Sequence, residues 1–474
     1  MSSEQEFTHP PKVLGFRDLL LFYVVTGISL RWIATAAAAG PSSIVIWGGA
    51  LLCFYIPLVA AVIELSSRYP QEGGMYIWTR QAFGPFIGFM VGWSYFTSNL
   101  PYFPAIFYFD AGNALYMGGE SWQAMHDSPA YFMGFALIAL AFITWINLIG
   151  LNIGKWMHNI GAIGMWLPAL IVIVMGFVAF SRFGSATEFT VETMTPSTQI
   201  KDMIFWASLA FALSGSEAAS FMGGEIKDSR RTIPRALLCA GAIIVFCYVM
   251  GTIAVLLAIQ PGEVNTLQGL IQAGALTAQK LEMVWIVAPL AFLITIGNIG
   301  AASGFLTAAA RIPFVIGIDR SLPKAFGKTH PRWGTPYIAL LLQGGLGALF
   351  VILSQAGTGV KGAYDVLVSM GIIAAFFPFA LVFLSLIVLQ REPSAERSPI
   401  PGGRPVCILL GCIGLVTTIC AIALAMIPSP DEANKPLAIF KILGMTTVLL
   451  GAGATIYGLS RRRRAKAEAQ VAGT

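Results

Sequence analysis

Apolar runs long enough to cross a lipid bilayer recur along almost the whole sequence. A membrane-spanning helix needs about 20 predominantly apolar residues, and only short polar loops separate the runs found here. Charged residues make up 11% of the 474 positions, whereas soluble domains have about 25%. The sequence therefore predicts an all-α polytopic membrane protein whose solvent is the lipid bilayer.

Charged residues, proline and glycine mark the ends of these runs and predict about twelve transmembrane helices. The predicted helices cover residues 18–39, 43–65, 84–109, 131–150, 157–181, 202–224, 234–259, 284–310, 336–354, 364–390, 405–427 and 437–459. An even number of crossings returns the chain to the side on which it began. Both termini are therefore predicted to lie on the same side of the membrane.

Lysine and arginine are concentrated in alternate loops, and short loops rich in these residues stay on the cytoplasmic side. The basic loops contain Lys12 and Arg17, Arg68 and Arg80, Lys155, residues 227–235, 311–332 and 391–404, and the tail 461–466. The opposite loops hold Arg182, Lys201, Lys280, Lys361 and Lys435. We therefore expect both termini in the cytoplasm and the protein in the cell (inner) membrane. The net charge of +6 reflects this topology, and no nucleic-acid partner is expected.

The same boundaries divide the chain into five segments. We expect a cytoplasmic N-terminal segment (1–17), a ten-helix core (18–390), a cytoplasmic loop (391–404), two peripheral helices (405–459) and a basic cytoplasmic tail (460–474). The loops are too short to hold a separate soluble domain.

Sequence signals of enzymes, pumps and metal proteins are missing. The nearest candidate for a phosphate-binding loop, residues 150–156, lacks the required spacing and a Ser or Thr after Lys155. The six cysteines lie inside apolar runs without zinc-site spacing, and the four histidines form no metalloprotease motif. We expect neither catalysis, nor a metal, nor a cofactor.

The first and sixth predicted helices are each interrupted near the middle by glycine and polar residues, at 25–31 and 211–217. A helix that unwinds there presents free amide groups to a carboxylate and free carbonyl groups to an ammonium group. Such a pair of breaks is suited to a zwitterionic amino acid. The alternative is that Gly27 and Gly215 only allow close packing between helices.

Two charged residues lie beside these breaks, although a charge near the bilayer centre costs about 2.5–3.5 kcal/mol. Glu217 is either a carboxylate that couples proton binding to transport or a structural hydrogen-bond partner. Arg31 either binds an acidic group of the substrate or is the fixed partner of a carboxylate such as Glu217 or Asp110. For Arg31 we favour the fixed partner.

Several other residues of the apolar helices can be interpreted either as functional or as packing residues. Phe211 either closes over a bound substrate or packs like most aromatic residues of apolar helices. In the eighth helix, Asn298 and Ser303 either coordinate an ion or bond backbone carbonyls, and we favour packing. Pro101 and Pro104 predict that the third helix bends beside the breaks.

The sixth helix carries an ordered motif of its own. The aromatic Phe211 is followed by Gly215 and Glu217, then by Glu-Ile-Lys at 225–227 and Arg-Thr-Ile-Pro at 231–234. Two further motifs follow the second and eighth helices. They occupy 64–70, 72–76 and 82–85, and then 310–311, 319–320, 322–323, 330–331 and 334–336. In this order the motifs resemble those of the amino acid–polyamine–organocation superfamily of permeases, over nearly the whole chain.

The resemblance implies a leucine-transporter-type fold, in which two inverted five-helix repeats form the transport core at 18–390. Helices one and six are broken at the substrate site of that fold, and two further helices pack outside it. It further implies that Phe211 gates the site and that Glu217 couples protonation to movement. The implied substrate-binding residues are Thr26, Gly27, Ile28, Ser29 and Leu30 for the carboxylate, and Ala212, Leu213, Ser214 and Gly215 for the amine.

Within the superfamily, Gly164, residues 167–169 and residues 415–428 are most similar to the glutamate/γ-aminobutyrate antiporter branch. The chain departs from that branch in lacking a long C-terminal extension. It also departs from the common Gly-Ser-Gly-Ile-Phe form of the first helix, because residues 27–32 place Arg31 beside the expected binding loop.

The positive charge of Arg31 repels polyamines if its side chain points into the binding site. We therefore predict a permease for neutral or acidic amino acids that works by alternating access, as proton-coupled symporter or as exchanger. Sodium coupling through Ser303 is the alternative to protons. A non-transporting amino acid sensor with the same fold is the alternative function. The sequence does not predict an oligomeric state.

Overall fold

The computed structural model describes residue 12 and residues 14–71, 73–265, 268–318, 322–355, 360–392, 398–427 and 435–472. These residues are folded almost entirely into helices. An isolated parallel β-bridge joins Leu14 to Ile226. The prediction of an all-α chain is confirmed for the described residues, whereas most of the predicted segment 1–17 lies outside them.

The helices differ greatly in length. The first half contains α1 (Phe16–Gly27), α2 (Arg31–Ala38), α3 (Ser42–Ala50), α4 (Ile56–Arg68), α5 (Met75–Phe83), α6 (Pro85–Ala114), α7 (Glu120–Gln123), α8 (Pro129–Ile149), α9 (Leu151–Phe183), α10 (Val191–Met194) and α11 (Ile200–Ala212). The second half contains α12 (Ser229–Ala258), α13 (Gly269–Lys280), α14 (Val287–Ile318), α15 (Tyr337–Ser354), α16 (Val360–Leu389), α17 (Gly403–Ala425), α18 (Lys435–Ile439) and α19 (Met445–Ala472).

Short helical segments of other types complete the chain. The 3₁₀ segments are Leu115–Met117, Ala218–Glu225, Pro261–Glu263, Val284–Ile286 and Lys324–Gly327, and the π turns are Leu51–Tyr55 and Phe440–Gly444. The first π turn joins α3 and α4 into a continuous span, Ser42–Arg68.

Every predicted transmembrane run overlaps a helix of the structure. Within the described residues, nine helices are long and apolar enough to cross a membrane, or ten if α1 and α2 form one span bent by 40°. The 30-residue helix α6 is not among them. Polar side chains at 97–99 and the charged Asp110 lower its mean hydropathy, so its place in the bundle depends on tertiary packing.

Both helix breaks fall where the sequence predicts unwinding. The first break is the stretch 28–30, between Gly27 at the end of α1 and Arg31 at the start of α2. The second is the stretch 213–217 between α11 and the 3₁₀ segment Ala218–Glu225.

The helix α13 was not predicted from the sequence. It lies between the seventh and eighth predicted helices, where the sequence predicts no membrane span, and it packs against α2, α9, α12 and α14. Leu270, Ile271 and Ala278 are fully buried on its inner face. A 12-residue amphipathic helix is too short to cross a bilayer, so a search for membrane spans does not detect it.

Helices α9 and α14 approach each other closely through glycine. A Cβ atom on Gly161 would lie 2.6 Å from the Cα atom of Gly300, and one on Gly164 would lie 2.6 Å from the Leu293 carbonyl oxygen. Any larger residue would push the helices apart. The glycines of the eighth predicted helix thus serve packing, as the sequence indicated.

At the end of the bundle where the sequence places the cytoplasm, three elements are tied together. The Arg311 Nε donates to Glu225 Oε1 at 2.6 Å, and both side chains are buried. The Leu14 amide donates to the Glu225 carbonyl at 3.0 Å, and the Lys227 amide donates to the Leu14 carbonyl at 2.9 Å. These contacts join the start of α1, the segment Ala218–Glu225 and α14.

Candidate functional site

A cavity lies where the two breaks meet α6, and we call it the central cavity. Its empty space, counted together with the open solvent at the mouth, amounts to about 530 Å³. It is lined by Thr26, Gly27, Ser29, Arg31, Trp32, Tyr95, Ser98, Asn99, Tyr102, Phe211, Ala212, Ser214, Glu217, Phe305, Ala375 and Phe379. The first and sixth predicted helices therefore share one site.

The first break supplies backbone groups to this cavity. Thr26 and Gly27 end α1, and α2 starts at Arg31 on the opposite side of the gap. The positive end of the α2 dipole lies at its first residues. An anionic group in the cavity is therefore favoured near Ser29 and Arg31.

One tyrosine joins the two breaks. The Tyr248 hydroxyl of α12 faces the carbonyl oxygens of Gly27 and Ala212, each at 3.0 Å, and accepts a hydrogen bond from the Ser29 amide at 2.9 Å. The Trp47 ring stacks on Tyr248 with 4.6 Å between the ring centres. Sequence reasoning missed Tyr248, because a single aromatic residue in an apolar helix gives no signal of its own.

Arg31 is buried beside the cavity between aromatic rings. Its guanidinium carbon lies 4.4 Å from the ring centre of Trp32 and 5.5 Å from that of Tyr102. Its Nε and Nη1 atoms are buried without a hydrogen-bond partner among the described residues. Within that part of the chain it makes no ion pair with Glu217 or Asp110, so the structure does not show the fixed carboxylate partner that the sequence favours.

Glu217 has both carboxylate oxygens bound. The Tyr95 hydroxyl donates to Oε1 at 2.9 Å, and the Gly215 amide donates to Oε2 at 2.9 Å. The side chain is 1% exposed and lines the cavity. The second break therefore exposes an amide that stabilises a carboxylate next to a candidate substrate.

Aromatic rings form the apolar wall of the cavity. Phe211 meets Trp32 edge-on, with ring centres 5.8 Å apart, and meets Phe376 in the same way at 5.7 Å. Tyr102 packs against Phe305 with 4.9 Å between centres. Phe211 is partly exposed and lines the cavity, so it lies where a gating residue is expected.

The remaining predicted residues lie behind the wall. Ile28, Leu30 and Leu213 are buried and do not line the cavity. Gly215, with φ of +107°, contributes its backbone rather than a side chain, because a Cβ there would lie 2.6 Å from the Thr26 carbonyl oxygen.

The two residues of the predicted ion site are separated. Asn298 donates from Nδ2 to Asp110 Oδ1 at 3.0 Å, whereas Ser303 accepts from Asn147 Nδ2 at 2.9 Å. Neither lines the central cavity. Side chains five positions apart on an α-helix point in different directions, so these two side chains meet different neighbours. No group of three or more His, Cys, Asp or Glu side chains that suits a metal occurs among the described residues.

Helix α6 contributes residues that sequence reasoning did not assign to the site, namely Tyr95, Ser98 and Asn99. The Oγ atom of Ser98 and the Nδ2 atom of Asn99 both donate to the Tyr95 carbonyl, at 2.7 and 2.8 Å. A cluster of polar residues in the middle of a predicted span was the available signal, because such residues rarely face lipid.

Comparisons with known proteins agree with this geometry. The chain is 27% identical to an uncharacterized transporter of Legionella pneumophila, over 91% of this chain and 93% of the relative. It is 24% identical to the serine/threonine exchanger SteT of Bacillus subtilis, over 78% of this chain and 81% of the relative. It is 23% identical to the probable agmatine/putrescine antiporter AguD of Lactococcus lactis, over 68% of each chain.

These relatives are named as transporters and not as enzymes. The family model described as amino acid permease matches residues 14–449. That match includes both breaks, the central cavity and all helices from α1 to α18. The chain therefore belongs to the amino acid permease family of the amino acid–polyamine–organocation superfamily.

Proposed function

We propose that this protein carries a neutral or acidic amino acid across the cell membrane by alternating access, with both termini in the cytoplasm. Family membership makes it a transporter of amino acids or related organic cations. The choice between these substrate classes rests on the charges of the central cavity.

The observation that carries the proposal is Arg31. Its guanidinium is buried beside the cavity, and two of its nitrogen atoms have no partner among the described residues. A buried donor without an acceptor costs about 1–3 kcal/mol, more for a charged group. A substrate carboxylate would supply the missing acceptors and balance the charge, whereas a polyamine would add positive charge.

Carbonyl groups at the two breaks are the candidate acceptors for the amine of the substrate. The carbonyl oxygens of Gly27 and Ala212 each lie 3.0 Å from the Tyr248 hydroxyl, which can donate to one of them at a time. Glu217 adds a carboxylate to the lining of the cavity. An ammonium group therefore meets carbonyl dipoles and negative charge.

The names of the relatives include both a serine/threonine exchanger and an agmatine/putrescine antiporter. Arg31 favours the first kind of substrate for this chain because like charges repel.

For coupling we propose protons, with Glu217 as the residue whose protonation accompanies movement, in symport or in exchange. The contact of Arg311 with Glu225 ties α14 to the segment after the second break, and alternating access predicts that it opens in another state of the cycle. Sodium is the alternative coupling ion. A sensor that binds without transport is the alternative function.

Uptake of labelled neutral, acidic and basic amino acids and putrescine into proteoliposomes tests the proposal, with and without a proton gradient and internal amino acid. We expect neutral or acidic amino acids to accumulate. Gradient-driven uptake identifies a symporter, and uptake only against internal substrate identifies an exchanger. Preferential uptake of putrescine would overturn the proposed substrate class, and binding without any flux would support the sensor.

The variant Arg31→Ala tests the carboxylate site. We expect a roughly 10- to 100-fold loss of affinity for the amino acid, because a hydrogen bond to a charged group is worth about 1.5–3 kcal/mol. Affinity for the corresponding amino alcohol, which lacks the carboxylate, should not change. Arg31→Lys keeps the charge if the alanine variant does not fold, and the exposed Arg182 provides the control Arg182→Ala. Equal losses for both ligands would contradict the assignment.

A further inference from the structure

A second carboxylate, Asp110, is buried in α6 away from the central cavity. It is 0% exposed and does not line that cavity. It follows the cavity residue Asn99 by 11 positions, which corresponds to about 16 Å along a helix. Neither the breaks nor the substrate therefore explain its presence.

The hydrogen bonds of Asp110 are incomplete. Its Oδ1 accepts from Asn298 Nδ2 of α14 at 3.0 Å. Its Oδ2 and the Asn298 Oδ1 are both buried without a hydrogen-bond partner among the described residues. An ionised carboxylate and an amide oxygen only accept hydrogen bonds, so these two oxygens lack a donor.

Among the described residues, no cationic side chain pairs with Asp110. Tyr131 of α8 is the titratable side chain next to it, and its hydroxyl donates to the Ala111 carbonyl at 2.9 Å. Gln268, just before α13, donates to the Gly112 carbonyl at 2.9 Å. Within the described part of the chain, Asp110 makes no ion pair. A buried carboxylate without a counter-charge is strongly unfavourable in its ionised form.

We propose that Asp110 is a proton-binding site separate from the central cavity, and that its protonated carboxyl group pairs with the Asn298 amide across α6 and α14. The added proton lies on Oδ2 and is donated to Asn298 Oδ1, while Asn298 Nδ2 donates to Oδ1. A single proton thus makes Asp110 Oδ2 a donor and gives the accepting Asn298 Oδ1 its missing partner. A water molecule that donates to both oxygens would leave the carboxylate charged, and a sodium ion that coordinates both oxygens is the alternative that the test distinguishes from the proton.

The pair also makes the α6–α14 contact depend on the proton. Loss of the proton places a carboxylate opposite an amide oxygen, and two acceptors that face each other repel. The helices must then separate or admit water. This inference does not rest on the identity of the substrate or on Glu217.

The test compares purified full-length protein with Asp110→Asn, which places a neutral amide in the same shape. Infrared spectra in H₂O and D₂O identify protonated carboxyl groups by their carbonyl band. We expect the band of the wild type to be lost, wholly or in part, in Asp110→Asn at neutral pH. The thermal unfolding midpoint of this variant should stay unchanged, because the asparagine pair makes both hydrogen bonds.

Two control variants test whether the carboxyl band comes from Asp110. Asp228→Asn removes an aspartate that is largely exposed and should leave the band intact. Glu217→Gln removes the buried carboxylate of the second break and separates its contribution to the band from that of Asp110.

Three results would overturn the inference. The first is an unchanged carboxyl band in Asp110→Asn, which would show that Asp110 is ionised. The second is failure of Asp110→Asn to fold, or a clear drop of its unfolding midpoint. A neutral asparagine should replace a protonated aspartate without loss of stability. The third is a higher unfolding midpoint of the wild type in sodium chloride than in choline chloride, with no such difference in Asp110→Asn. That result would show that Asp110 binds a sodium ion instead of a proton.

Discussion

The buried carboxylates Glu217 and Asp110 lie in very different surroundings. Each oxygen of Glu217 accepts a hydrogen bond, one from Tyr95 and one from the Gly215 amide. Among the described residues, Asp110 has a donor for only one oxygen. Glu217 follows a break, where the backbone amide of Gly215 is not used by a helix. Asp110 lies in the continuous helix α6, whose amides bond within the helix.

The difference teaches that a broken helix can supply a backbone donor to a buried charge, here the Gly215 amide, beside a side-chain donor such as Tyr95. A continuous helix does not, so its carboxylate must take a proton or a cation from elsewhere. Three substitutions would break or sharpen this contrast.

The largest effect is expected from Gly215→Ala, which disturbs the backbone whose amide donates to Glu217. Gly215 has a φ of +107°, and the added Cβ would lie 2.6 Å from the Thr26 carbonyl oxygen. Backbone strain of this kind costs about 1–3 kcal/mol, and the clash adds to it. We expect uptake in proteoliposomes to fall more than about 100-fold, since about 1.4 kcal/mol corresponds to a factor of ten.

The matched control is Gly371→Ala in α16, where the new Cβ meets nothing within 4 Å. It should transport like the wild type. Similar activity of both alanine variants would show that the second break tolerates a side chain and that its geometry is not required.

A smaller effect is expected from Tyr95→Phe, which makes Glu217 resemble Asp110 by removing one donor. A hydrogen bond to a charged group contributes about 1.5–3 kcal/mol, and the free energy of unfolding should fall by about that amount. Infrared spectra should gain a carboxyl band, because Glu217 then takes up a proton. Tyr116→Phe, in a 3₁₀ turn outside the cavity, is the control. An unchanged spectrum and stability would indicate that the Tyr95 hydroxyl is not needed.

The smallest effect on affinity is expected from Glu217→Gln. The glutamine oxygen can accept from the Gly215 amide, and its nitrogen can donate to the Tyr95 hydroxyl oxygen after that hydroxyl rotates. Substrate binding should therefore persist, whereas the pH dependence of transport should become flat because no proton is exchanged. Equilibrium binding and uptake from acidic to mildly alkaline pH provide the measurements. A pH profile identical to that of the wild type would exclude Glu217 from proton coupling.

The parts of the fold that depend on local composition could be predicted. Apolar runs predicted the helices, and glycine with polar neighbours located both breaks within a few residues. The amphipathic helix α13 was missed because it is short and its inner face is recognisable only once α2 and α9 are in place.

Half of the site could be predicted in the same way. Thr26, Ser29, Phe211 and Glu217 line the cavity as expected. Tyr248 was missed because its role depends on a hydroxyl that reaches two breaks far away in sequence.

The sequence by itself determined that this chain is a helical membrane protein with two interrupted helices and buried charges, because hydropathy and backbone freedom are local properties. Only the tertiary structure decided which groups meet. It placed Arg31 between Trp32 and Tyr102 without a carboxylate partner in the described part of the chain, and it paired Asn298 with Asp110 instead of Ser303. Such pairings depend on the rotation and the approach of packed helices, which no single stretch of sequence specifies.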